Sequence, residues 1–308
     1  RLFCRSLIIT EKHVRLLHYD RSGAYKTGYI DIHEDPYTFV RLILGLTSTD
    51  EAILGLDTNI QWVIEDGVKV SGTITIIETK NLEKVTFDLI MEEPPTIREV
   101  IRGRGTICWH AKDKDGNRVV IKDSWRADGR TNEYLALAQA KGRDGVAQAR
   151  CYQDYIAETR QFRPKHFRHE DFFNRTLSRI AMDCYGRSLV HFKSRYQAIA
   201  ALRDVVAGHR NLLLARVLHR DISPDNILLG KDNARVGMRG ILIDLDMSVR
   251  AEGEREDVSP EGRSGTPEFQ SVNVLEGYAN ADADGSLEFY VPWPQDYLDD
   301  LEAILWVL

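Results

Sequence analysis

Val217-Leu218-His219-Arg220-Asp221-Ile222-Ser223-Pro224-Asp225-Asn226-Ile227-Leu228-Leu229, followed by Gly240-Ile241-Leu242-Ile243-Asp244-Leu245-Asp246, decides how this chain is read. Each half is an apolar run that delivers a polar cluster at a turn. The first supplies Asp221 and, five positions on, Asn226; the second supplies Asp244 as it leaves a run that reads as a buried strand. Short apolar runs bounded by turn residues are the signature of buried strands. The polar groups they carry suit phosphoryl transfer. That chemistry needs one carboxylate to orient and deprotonate an attacking hydroxyl, and an amide and a second carboxylate to hold magnesium on the phosphates. Either half alone carries little weight; in this order, together, they carry a great deal.

Upstream, the stretch Ile97 to Trp125 has the grammar of a hairpin that covers a nucleotide. Gly103-Arg104-Gly105-Thr106 leads into Ile107-Cys108-Trp109-His110-Ala111, and a polar turn, Asp113 to Asn117, leads into Val119-Val120-Ile121-Lys122. A glycine lets the backbone approach a phosphate because no Cβ stands in the way. Two glycines are also what a plain turn would show. Lys122 closes its strand where an ammonium can reach the α/β phosphates; alone it would read as a solvated edge lysine. Glu133, eleven positions later in a run of good helix formers, is placed to pair with Lys122.

The chain has 308 residues, 43% of them apolar, and this length supports two lobes or domains. A formal charge of -6 excludes a nucleic-acid binder that works by bulk electrostatics. Cys4, Cys108, Cys151 and Cys184 lie far apart without CxxC spacing, which predicts neither a zinc site nor a disulfide framework and favours a reducing compartment. No apolar run approaches the roughly 20 residues that span a bilayer. The expected setting is intracellular, cytoplasmic or nuclear, with no membrane and no nucleic-acid partner. A helical pattern still running at Trp306-Val307-Leu308 predicts an excerpt of a longer protein.

Along the chain, Leu7 to Leu17 is broken by the turn Asp20-Arg21-Ser22-Gly23, which predicts strand pairing. Asp35-Pro36 followed by Phe39, Val40, Leu42, Ile43, Leu44 and Leu46 predicts a buried helix. Residues 60–92 read as strands, and Glu92-Glu93-Pro94-Pro95 as a breaker and boundary. Residues 160–175, crowded with Arg, His and Phe, read as a solvated loop or an insertion between lobes. Tyr196 to Val217 is amphipathic and predicts a scaffold helix beneath the loop at Asp221, with His209 structural rather than a ligand.

His219-Arg220-Asp221 with Asn226 and Asp244 resembles the catalytic and metal loops of protein kinases. With Val120-Ile121-Lys122-Asp123-Ser124-Trp125-Arg126, Leu202-Arg203-Asp204, Gly208-His209-Arg210 and Leu54-Gly55-Leu56-Asp57, the chain resembles the fungal-type protein kinase family. The resemblance touches most of the chain and is densest from Gly103 on. It implies an α+β, bilobal protein-kinase-like fold, with a β-rich small lobe, a mainly helical large lobe and an N-terminal α/β extension. The expected boundaries are 1–92 for the extension, about 93–150 for the small lobe and about 151–308 for an incomplete large lobe. It also implies ATP with Mg2+ and a protein substrate whose hydroxyl accepts the phosphate. By position, Asp221 is the base and Arg220 sits beside it, placed to meet an activation-segment phosphate. Asn226 and Asp244 are the magnesium ligands, Lys122 and Glu133 align the phosphates, and Gly103 and Gly105 cover the nucleotide. Gly265 to Asn273 matches the end of the activation segment, and Asp300 the buried carboxylate that braces the catalytic-loop backbone. Ser259, Ser264 and Thr266 are candidate regulatory hydroxyls.

Three residues depart from the pattern. Asp246 replaces the glycine of Asp-Phe-Gly, Asn273 the glutamate of Ala-Pro-Glu, and Ser223 the phosphate-contacting lysine of serine/threonine kinases. A cation lost about 4 Å from the transferring group matters by up to ~4 kcal/mol at an effective dielectric near 20. Two other readings therefore stand beside an active protein kinase: a nucleotide-binding pseudokinase or interaction module, and a small-molecule phosphotransferase. Substrate identity, the choice between Ser/Thr and Tyr, and oligomeric state are not written in the sequence.

Overall fold

Alternating apolar positions and tight polar turns build two antiparallel systems in the first third of the chain. The computed structural model describes residues 1–250, 265–283 and 295–308; Ser259 and Ser264 lie outside them. Strands β1 (Cys4–Ile9), β2 (His13–Asp20), β3 (Gly23–Lys26) and β4 (Ile30–Asp31) form one sheet, in which β2 pairs with the other three. Helix α1 (Pro36–Leu46) follows. Asp35 caps it by accepting from Thr38 N at 3.1 Å, and proline opens its first turn, where no amide partner is needed. The helix was expected to be buried, yet none of its residues is; Tyr37, Val40 and Leu44 are exposed. A 3.6-residue period fixes which face is apolar but does not supply a surface to cover it.

The second sheet holds β5 (Ile60–Glu65), β6 (Val68–Ile77), β7 (Lys84–Leu89), β8 (Thr96–Ile97), β9 (Ile107–Lys112), β10 (Arg118–Ala127), β11 (Ala149–Glu158) and β12 (Arg175–Asp183). Its order is β11-β12-β10-β9-β7-β6-β5, with β8 also on β9. Because β7 pairs with β9 through Asp88 and Lys112, the sheet runs across the boundary expected after residue 92. Ile74, Ile76, Phe87, Ala111, Val119 and Ile121 close its core. By contact the chain divides into two units, residues 1–128 with 151–181, and residues 129–150 with 182–308. The fold is mixed α/β with extensive sheets.

Residues 160–175 form a largely exposed loop, as expected, but within the first unit three of its residues anchor it on the first sheet. Arg163 forms a buried bidentate pair with Asp20, Phe167 meets Tyr25 edge-on at 5.3 Å, and Ser22 Oγ donates to Phe173 O at 2.6 Å. The arginine and phenylalanines that suggested a wet surface are what the sheet needs to bury its turn. Asp20 itself stays below the ordinary carboxylate range; burial acts to raise it, but hydrogen bonds from His18 and Arg163 prevail.

The second unit is built on α3 (Arg195–Leu214), capped by Ser194 and rich in alanine and leucine. Its mid-helix Gly208 has a packing reason: a Cβ there would lie 2.5 Å from Gly145 O, so two backbones meet where no side chain fits. The unit also holds α2 (Glu133–Gln139), β13 (Val217–Leu218), β14 (Ile227–Leu229), β15 (Gly240–Leu242), β16 (Val249–Arg250), α4 (Val272–Ala283) and α5 (Tyr297–Val307). The β14–β15 hairpin pairs Ile227 with Leu242, and β13 pairs with β16. Leu212, Ile227, Ile241, Leu242 and Leu245 are fully buried, and α3 is the scaffold helix the sequence predicts.

Candidate functional site

In the second unit, the hairpin register delivers the loop residues. With Ile227 opposite Leu242, Ile243 N donates to Asn226 O at 3.0 Å, so Asn226 and the chain entering Asp244 run side by side. Asn226 Nδ2 donates to Asp221 O at 2.8 Å. That bond fixes the amide and leaves its oxygen, an acceptor, without a hydrogen-bond partner among the described residues.

His219 ties the two loops together. Its Nδ1 accepts from Asp221 N at 3.3 Å, which leaves Nε2 to donate to Ile243 O at 3.0 Å. This pair of partners requires the neutral ring with its proton on Nε2. Below it lies Asp300 of α5, 2% exposed. One oxygen accepts from His219 N at 2.9 Å and His209 Nε2 at 3.1 Å, the other from Arg220 N at 2.8 Å. Asp300 therefore braces the catalytic-loop backbone as its sequence position predicts, and His209 is structural. Arg220 needs the brace: its φ of +65° is left-handed, which costs a residue with a Cβ about 1–3 kcal/mol. Its Nε donates to Gln295 Oε1.

The carboxylate of Asp221, 7% exposed, accepts from Thr266 Oγ1 at 2.8 Å. Thr266, a candidate regulatory hydroxyl by sequence, thus has its hydroxyl bonded to a site carboxylate. Arg220, Asp221, Thr266, Gln270, Gln295 and Asp300 line a cavity of about 20 Å³, room for one water.

Asp244 is the second left-handed residue, with φ +63° and ψ +67°. The amide that follows it, Leu245 N, donates to Glu133 Oε1 at 3.1 Å, so the buried glutamate at the start of α2 holds the metal loop. Asn132 caps that helix by accepting from Tyr134 N at 2.9 Å. One carboxylate oxygen each from Glu133, Asp244 and Asp246 falls within 4.8 Å of the others. Hard oxygen donors so gathered, with the oriented Asn226 amide nearby along the hairpin, fit a magnesium ion.

The remaining predicted residues belong to the first unit. Lys122, 4% exposed, lies on β10 directly opposite Cys108 of β9. Gly103 and Gly105 sit in the connection from β8 to β9, with φ of +130° and +50°. The structure thus gathers Arg220, Asp221, Asn226, Asp244 and Glu133 in one unit and Gly103, Gly105 and Lys122 in the other. Sequence reasoning missed the contacts of Thr266 and Gln295, and those of Arg21 described below. The first was within reach, since Gly265-Thr266 had been matched to the activation segment; Gln295 and Arg21 carried no local signal.

The structural brace above the loop is completed by Asp204 of α3. It accepts from Gly237 N at 2.8 Å and from the backbone and guanidinium of Arg239, and so pins the β14–β15 connection. Burial acts to raise its affinity for a proton, but Arg239 and the two amides hold it below the usual carboxylate range. The sequence model of the family described as fungal protein kinase matches residues 1–170 and 154–308, which together span the whole chain.

Proposed function

Because this chain belongs to the fungal protein kinase family, we propose that it is an ATP-dependent protein kinase that phosphorylates a hydroxyl of a protein substrate. One observation supports this above the others. The buried Asp221 carboxylate is fixed by a loop whose backbone is held from both sides, by Asp300 below and by His219 and Asn226 within. A general base must be positioned before its basicity matters.

On this reading the two units are the lobes of a bilobal protein-kinase-like fold. Gly103, Gly105 and Lys122 serve the nucleotide, and Asn226 and Asp244 hold magnesium. When bound, magnesium neutralises charge on the β- and γ-phosphate oxygens. The chain's own groups do the rest. Asp221 orients the acceptor hydroxyl and takes its proton as oxygen bonds to the γ-phosphorus, while the bond from that phosphorus to the β–γ bridging oxygen breaks and ADP leaves. Thr266, bonded to the same carboxylate, fixes its rotamer. Glu133 holds Leu245 N and so the turn that presents Asp244. No described helix is long and apolar enough to cross a membrane.

A nucleotide-binding module without turnover is the competing reading, and Asp246 beside Glu133 and Asp244 favours it by adding a third negative group to the metal loop. Transfer of labelled γ-phosphate from ATP to a peptide library separates the two. Asp221→Asn is expected to abolish transfer while magnesium-ATP binding stays close to that of the parent. Transfer that survives the substitution removes Asp221 as the base. A parent that is stabilised by magnesium-ATP yet labels no acceptor supports the module.

A further inference from the structure

We propose that Arg21 is a positioning residue for the nucleotide loop, clipping residues 100–105 from the N-terminal sheet; the role rests on the kinase reading above. Three contacts define the clip. Arg21 O accepts from Gly103 N at 3.0 Å, and Arg21 Nη1 donates to Val100 O. The rest of the guanidinium lies against Gly105: a Cβ on that residue would stand 2.7 Å from Arg21 Cδ and closer still to Nε and Cζ. Gly105, with its φ of +50°, is therefore glycine because Arg21 occupies the side a Cβ would take. The sequence reading gave that freedom to a phosphate; the structure gives it to an arginine more than 80 positions upstream.

The arginine is delivered by a turn that cannot drift. Asp20, before it, is buried and bonded to His18 Nε2 at 2.9 Å and to both terminal nitrogens of Arg163. Ser22, after it, donates its amide to Asp20 Oδ1 at 2.9 Å and packs its hydroxyl 2.7 Å from Thr159 Oγ1. No carboxylate pairs with Arg21 among the described residues, and burial lowers its affinity for a proton. A half-buried cation whose only polar partners are backbone groups of one loop is coupled to that loop's geometry. The far side of the loop is tied in turn: Trp125 N donates to Arg104 O at 2.8 Å, on the strand that carries Lys122. A continuous path of bonds thus runs from the N-terminal turn through residues 100–105 to β10. The N-terminal residues are part of the nucleotide site rather than an appendage to it.

A loop released from the clip must be ordered by the ligand, which weakens binding without touching the base. Arg21→Ala in the full chain is expected to raise the dissociation constant for magnesium-ATP, and KM for ATP, roughly tenfold, the scale of one hydrogen bond to a charged group. The turnover number stays within about threefold, since Asp221 is untouched. Arg21→Lys keeps a donor for Val100 O but not the flat guanidinium, and falls between. Arg21→Met keeps the stem that packs against Gly105 but has no donor for Val100 O; it is expected to reproduce the loss and stands in should Arg21→Ala fail to fold. Amide exchange over residues 98–106 quickens in either variant. Nucleotide affinity unchanged in both variants overturns the role while leaving the kinase reading in place. A parent chain that binds no magnesium-ATP overturns the kinase reading and this role together, even where exchange still shows the clip.

Discussion

Asp300→Ala tests whether the catalytic loop is held in place by one distant carboxylate. The substitution removes the acceptor for three buried donors: His219 N, Arg220 N and His209 Nε2. Hydrogen bonds to a charged group contribute about 1.5–3 kcal/mol each, but three that share one carboxylate do not add in full. A buried donor left without an acceptor costs about 1–3 kcal/mol, so a total loss of roughly 3–5 kcal/mol is expected for the three. A domain of ordinary stability has about 5–15 kcal/mol in total, so the loss is a large part of it. It falls first on the loop, because the left-handed strain at Arg220, about 1–3 kcal/mol, then loses the acceptor of its backbone amide. Asp300→Asn keeps one acceptor and turns an amide nitrogen toward donors, so about half the loss is expected. Amide exchange at His219 and Arg220, alongside urea unfolding, reads the two levels separately. Both amides should lose protection in Asp300→Ala by more than the global change accounts for. Unchanged protection at these two positions in a folded variant would refute the brace.

Two further outcomes follow from the ionic core of the first unit. Arg179, its side chain fully buried, bonds Asp123 at 2.6 Å and 2.9 Å and Asp57 at 2.7 Å; Arg179→Leu strands both carboxylates and should cost about 3–5 kcal/mol in a urea titration, and a loss under about 1 kcal/mol would mean the pair contributes little. Asp20 holds its proton more weakly folded than unfolded, so its contribution is complete above the unfolded value of about 3.9 and fades as pH falls through the lower folded value. The stability gap between the parent and Asp20→Asn should therefore narrow on acidification below about pH 4; a gap that does not narrow at all as the pH falls would remove the carboxylate as its source.

What the sequence made legible was local. Asp221, Asn226 and Asp244 were found because their spacing is set by two short buried strands whose apolar runs are visible in the chain. The strands β5, β6 and β7 showed through alternation and through the polar turns between them. Asp300 was placed by its match to a family pattern, and its three bonds are those the pattern implies. The illegible parts all depend on a partner far away in sequence. Nothing near Gly105 announces that Arg21 fills the space beside it. Residues 160–175 have the composition of a wet surface and are mostly exposed; nothing near them in sequence says that Arg163 and Phe167 pair with Asp20 and Tyr25. The apolar stripe of α1, Phe39, Leu42, Ile43 and Leu46, is correctly periodic and only partly buried.

The site uses one device twice. Arg220 and Asp244 are both left-handed residues that carry a side chain, and each is held through a backbone amide by a buried acid on a helix. Asp300 of α5 takes Arg220 N; Glu133 of α2 takes the amide just after Asp244. The strain is thus not local: it is stored in two turns and maintained by two helices that begin more than 160 positions apart. Asp246 adds to the second turn what glycine could not. Carboxylate oxygens 4.8 Å apart repel by about 3.5 kcal/mol per charged pair at an effective dielectric near 20. Three such groups make that turn costly when all are charged, and a cation among them adds a larger attraction to each oxygen than the repulsion that remains between them. On the kinase reading, Asp246, standing where the Asp-Phe-Gly motif has glycine, makes the loop after β15 more dependent on its cation rather than less able to bind one.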